Sequence, residues 1–164
     1  MNAADKYFLK AKEKYPYEVD DALESLDYGL SHDGDHAGLL TMKGNIYYED
    51  LKQFDAAREC YELALINDNA YVEAYYGYIR FTLTMSDYAR AERLVIAALQ
   101  VKGIDLATIY YYEALLREKQ QSFGKAVKSL AKAREHCTVK KTYSFYEEEA
   151  ERIEQKSRDV KKKC

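Results

Sequence analysis

The chain repeats itself, and the repeat limits what it can fold into. Phe54, Ala57, Tyr61 and Ala64 run large, small, large, small at intervals of three, four and three residues. The same order recurs 34 residues later as Tyr88, Ala91, Val95 and Ala98, and 35 further on as Phe123, Ala126, Leu130 and Ala133. Thirty-five residues earlier it reads Val19, Ala22, Leu26 and Gly29. Those intervals put each set on one stripe of an α-helix. The alternation has a packing cause: small residues let a neighbouring helix come close, and large ones fill the space beside it. Four such helices, each preceded by another, predict four helical hairpins. Glycine (7) and proline (Pro16 alone) are scarce, which suits long helices with short connections.

The period and its internal pattern resemble the tetratricopeptide repeat (TPR) family. The best copy is LLTMKGNIYYEDLKQFDAARECYELALINDN, residues 39–69, with Leu40, Gly44 and Tyr47 on its first helix and Ala57, Tyr61 and Ala64 on its second. Leu40 stands where the family has tryptophan, and Lys43 where it has leucine. A further copy, residues 71–102, carries Ala74, Tyr78 and Phe81, then Ala91, Val95 and Ala98. The family closes each repeat with proline. Here Gly34, Asn69 and Gly103 stand in its place and are expected to end helices in the left-handed conformation.

This bears on HDGDH, residues 32–36, which has the look of a metal cluster. It falls where INDNA (66–70) and KGIDL (102–106) fall in later repeats. Gly34 also breaks the helical face that His32 and His36 would have to share. The expected role is punctuation, with Asp35 capping the next helix as Asp68 or Asn69, and Asp105, do later.

The resemblance implies that the first helices of successive repeats line a concave groove that takes an extended peptide or a partner helix. Carried over position by position, the groove would present Thr41, Asn45, Tyr48 and Glu49 from the second repeat. Thirty-four residues on it would present Tyr75, Ile79, Thr82 and Leu83. The fourth repeat offers Tyr110 or Tyr111, and Ala114 or Leu115, with Tyr111 taken into the candidate set; the first offers Lys6, Lys10, Glu13 and Lys14. The three lysines lie four apart, a spacing that serves either to hold an acidic segment or simply to form a solvated face. Tyr47, Tyr61, Tyr78 and Tyr88 fall at packing positions. The basic clamp by which some family members hold a chaperone's C-terminal carboxylate is not matched: Asn45 fits, but Thr41 and Tyr76 replace required groups and residues 106–112 hold no lysine or arginine.

Composition excludes several other classes. A net charge of −3 argues against a nucleic-acid partner, which needs a basic face. No apolar run reaches the ~18 residues of a spanning helix, and the first residues do not read as a signal peptide, so a cytoplasmic location without membrane attachment is expected. Cys60, Cys137 and Cys164 are odd in number and widely spaced, which points to reduced thiols. No phosphate-binding loop, H-E-x-x-H motif or nucleophile–base pairing is present, so neither catalysis, cofactor nor metal is expected.

The expected architecture is all-α: a right-handed superhelical stack of four TPR-like hairpins (residues 1–34, 35–69, 70–103 and 104–137) and a C-terminal capping helix, 138–160. In that helix Val139, Tyr143, Tyr146, Ala150 and Ile153 form one apolar stripe, and a frayed basic tail, 161–164, follows. The expected function is a non-catalytic module binding a protein or peptide partner, as monomer or homodimer. A self-associating scaffold is the alternative, and a small chaperone for a secretion or assembly partner is a subtype of the first.

Overall fold

The computed structural model describes residues 2–163, the Lys163 side chain excepted, so Cys164 lies outside the described residues. Nine α-helices and no strand occur among them. They divide into two compact units, residues 1–81 and 82–164, each with its own core.

The first unit contains α1 (Ala3–Lys14), α2 (Val19–His32), α3 (Ala37–Glu49), α4 (Phe54–Asn67) and most of α5 (Val72–Thr84). α1 pairs with α2 and α3 with α4, as the repeat requires. α1 starts at a reciprocal cap in which the Asn2 side chain accepts the Asp5 N–H and Asp5 accepts the Asn2 N–H, satisfying two of the orphan donors of a helix start. Ala4, Ala11, Ala22, Leu26, Leu39 and Ile46 form its main core. Gly29 allows that closure: a Cβ there would lie 2.7 Å from a methyl of buried Leu39.

The second unit contains the end of α5, α6 (Tyr88–Ala98), α7 (Leu106–Lys119), α8 (Phe123–His136) and α9 (Lys140–Lys163). Its core joins Ala107, Ala114, Ala126, Leu130 and Ala133 to Tyr146 and Ile153 of α9. Tyr146, Ala150 and Ile153 of the expected stripe therefore cover the last hairpin, whereas Tyr143 is exposed and Val139, also exposed, precedes the helix. The helix continues through residues 161–163, where a frayed tail is expected from the sequence.

In every copy the last three positions of the stripe are buried: Ala22, Leu26 and Gly29; Ala57, Tyr61 and Ala64; Ala91, Val95 and Ala98; Ala126, Leu130 and Ala133. The first position, from Val19 to Phe123, stays partly exposed because it opens the helix beside the turn.

The turn chemistry differs from expectation at three points. His36, not Asp35, caps α3: its Nδ1 accepts the Leu39 N–H at 3.2 Å, and its Nε2 lies 3.3 Å from Asp5 Oδ1. The imidazole nitrogen here takes the acceptor role that a carboxylate or hydroxyl usually takes at a helix start. Asp33 and Asp68 fold the linker instead, each accepting the N–H two residues on. Of Gly34, Asn69 and Gly103, only Gly103 is left-handed, at φ 84°. Among the described residues the other left-handed ones are Lys52, Ser86 and Gln121, in the turns between α3 and α4, α5 and α6, and α7 and α8. They too stand 34 and 35 residues apart, so the repeat is written in the backbone as well as in the side chains.

Candidate functional site

Those turns fix the register of the first helices. Thr41, Tyr75 and Tyr110 each precede the left-handed residue of their own hairpin by eleven positions. Tyr110 is therefore the counterpart of Thr41. Tyr111, the residue taken into the candidate set, packs instead under α9, its ring 5.3 Å from Phe145 and 5.7 Å from Tyr146. Burial raises its phenol pKa.

Most of the other candidates are covered by their neighbours. Thr41 is 3% exposed, and its Oγ1 has no hydrogen-bond partner among the described residues. Ile79 is fully buried, and Tyr75 is buried with its hydroxyl donating to the Asn69 carbonyl at 3.0 Å. Asn45 sits between helices. Its Oδ1 accepts the Tyr61 hydroxyl at 2.7 Å, and a Cβ on Gly77 of α5 would lie 2.7 Å from that same oxygen. Tyr48 is half-buried, edge-on to Phe81 and tilted against Phe54.

The lysines separate as well. Lys14 bonds Asp21 and Glu18 of the neighbouring segment, and the Asp21 bond raises its pKa. Lys10 lies 6.0 Å from the Tyr7 ring centre, and both Lys6 and Lys10 are exposed.

In the first unit a polar ladder runs across the C-terminal ends of α1, α3 and α5, and sequence reasoning saw only one of its groups, Glu49. Tyr15, just after α1, donates its hydroxyl to Asp50 at 3.1 Å. Burial, then Asp50, pushes the Tyr15 pKa up to about 12. Glu49 accepts from Arg80 of α5 at 2.9 Å, both side chains being more than a third exposed. The ladder's sequence signals were a separation near one repeat, 35 and 31 residues, between opposite or complementary groups. The Glu49–Arg80 pair, exposed on both sides, is screened by solvent. Tyr48 lies next to Glu49 at the same helix end.

Of the two histidines of HDGDH, His36 caps α3 and His32 makes a ring contact. His32 stacks on Tyr7 at 5.7 Å, and His136, 104 residues on, stacks on Tyr110 at 5.5 Å. Cys60 is buried, with its thiol pushed up to about 11. Glu118 of α7 is held at about 2 by a bidentate hydrogen bond from Arg152, supported by Lys156. This joins α9 to the last hairpin as a structural tie.

By sequence, no family profile and no curated protein matches the chain. Solved structures do. The crystal structure of MamA is similar at 21% identity and TM-score 0.72, covering 82% of this chain and 78% of that one. A MamA RS-1 ArsTM double mutant reaches TM-score 0.77 at 16% identity, over 98% and 88%. MamA 41-end from Desulfovibrio magneticus RS-1 gives 0.71 at 16%, over 99% and 97%. MamA is a TPR-like protein. The fold is a TPR-type helical repeat. Among the groove candidates named from the sequence, Lys6, Lys10, Glu13 and Glu49 are exposed in the first unit and Tyr48 is partly so, and Arg80, paired with Glu49, is exposed beside them.

Proposed function

We propose that this is a non-catalytic interaction module of the tetratricopeptide type, cytoplasmic, organised as the four repeats 1–34, 35–69, 70–103 and 104–137. It binds a peptide or partner helix on the first helices of its first unit. The observation that carries the reading is the Glu49–Arg80 pair, 2.9 Å long and solvent-facing, beside half-buried Tyr48. It offers one acceptor, one planar donor and a rigid aromatic on helices already held in place, so little ordering entropy is lost on binding. Lys6 and Lys10 add positive charge on α1, which favours an acidic segment in the partner. Of the candidates named from the sequence, Thr41, Asn45, Tyr75 and Ile79 support this surface by packing and Lys14 by its ion pairs, while Tyr111 lies in the second unit under α9 and takes no part in it.

Affinity capture from native lysate tests the reading, with wild type compared against Lys6→Glu/Lys10→Glu/Arg80→Glu. All three side chains are exposed, so helicity should be unchanged by circular dichroism. A protein recovered by wild type and lost by the variant supports the proposal. Equal recovery by both overturns it.

A further inference from the structure

The second helices of the first and last hairpins carry opposite charge at equivalent places. Asp20, Leu23 and Glu24 of α2 stand 104 residues before Gly124, Val127 and Lys128 of α8. Each trio lines a shallow surface groove, about 580 Å³ along α2 and about 430 Å³ between α8 and α9. The α2 groove also has Asp27 and the exposed ring of Tyr28, 53% accessible. The α8 groove has Phe123 at one end and Arg158 of α9 at its side.

α2 contains Asp20, Asp21, Glu24 and Asp27 and neither lysine nor arginine; α8 contains Lys125, Lys128, Lys132 and Arg134 against Glu135 alone. Part of this charge is already engaged within the chain: Asp21 with Lys14, Asp27 with Lys43, Arg134 with Glu147. Asp20 and Glu24 on one face, and Lys125 and Lys128 on the other, are exposed and make no ion pair among the described residues. Lys132 lies over the Tyr110 ring at 5.2 Å. Glu154 of α9, at the edge of the α8 groove, is the one carboxylate there that opposes the pattern.

We propose that the acidic face of α2 docks against the basic face of α8 in a second copy of this chain. Leu23 and Tyr28 meet Val127 and Phe123, and Asp20 and Glu24 meet Lys125 and Lys128. The contact uses second helices and leaves the Lys10–Arg80 surface of the first unit unused, so it stands or falls separately from the function proposed above. Opposite charge brings the faces together and sets which face meets which, while the apolar residues between supply the buried area.

Sedimentation velocity of the full chain tests this from about 1 to 100 µM, the range of ordinary transient contacts, at about 0.05 and 0.5 M salt. Wild type is expected to self-associate, with a dissociation constant at least about tenfold weaker at the higher salt. Asp20→Lys/Glu24→Lys and Lys125→Glu/Lys128→Glu should each be monomeric alone. Mixed in equal amounts they should form a heterodimer, because one retains a basic α8 and the other an acidic α2. The variant carrying all four substitutions should regain self-association, which a misfolded protein would not do. A wild type that stays monomeric throughout overturns the proposal. So does association that neither pair of substitutions weakens, or a mixture that stays monomeric.

Discussion

Replacing Glu118 by Gln keeps the shape of the side chain and removes its charge. Glu118 is 9% exposed and receives two hydrogen bonds from Arg152, at 2.9 and 2.7 Å, and one from Lys156 at 2.7 Å. Holding the carboxyl at about 2 instead of its ordinary 4.5 is equivalent to a ceiling of about 3 kcal/mol at neutral pH. Arg152 and Lys156 are 46% and 51% exposed, so solvent screens the interaction, and about 1–2 kcal/mol is the expected loss in Glu118→Gln. The folded-state pKa is lowered, so the stabilisation is complete above pH ~4.5 and disappears as pH falls through about 2. Urea unfolding followed by circular dichroism, run on both proteins from pH 7 to pH 2, reads this directly. The two curves should differ at pH 7 and converge at the acid end. A difference below about 0.3 kcal/mol at pH 7, or one that stays constant down to pH 2, refutes the reasoning.

Glycine at Lys52, Ser86 or Gln121 should stabilise by about 0.5–1 kcal/mol each, the left-handed penalty less the added freedom of the unfolded chain, as shifts in unfolding midpoint will show. Gly77→Ala should lose about 1–3 kcal/mol, because its Cβ would lie 2.7 Å from Asn45 Oδ1 and 2.8 Å from the buried Tyr61 ring. Gly124→Ala meets nothing within 4 Å and should gain up to about 1 kcal/mol in the same assay. His36→Ala should cost about 1 kcal/mol and His36→Asn much less, since Asn can accept the Leu39 N–H that Nδ1 accepts now. Cys60, buried with its thiol pKa near about 11, should resist a thiol-modifying reagent at pH 8 until the protein is unfolded.

The second helices were legible because their packing rests on residue size alone: small, large, small at helical spacing occurs for no other reason than close approach. The hairpin turns were not. Lys52, Ser86 and Gln121 carry no chemical mark of the left-handed conformation, which the hairpin geometry imposes on them. The α3 cap was misread by one residue because carboxylates are the usual acceptors, while here the imidazole beside Asp35 reaches the Leu39 N–H. The candidate surface was half legible. Periodicity shows which way a first-helix residue points, but how much of it a neighbouring helix covers depends on that helix's side chains. Gly77 brings α5 so close that Asn45 becomes an interior hydrogen-bond acceptor, and Phe81 covers the edge of Tyr48. The Glu49–Arg80 and Tyr15–Asp50 pairs join different helices, so no single-helix pattern reveals them.

Hydrogen–deuterium exchange of the protein with and without a captured partner tests the central claim most directly. The account predicts that added protection falls on the C-terminal ends of α1, α3 and α5, residues 10–15, 45–50 and 76–81. Protection confined to other helices, or a partner that binds without altering exchange at those three ends, would contradict it.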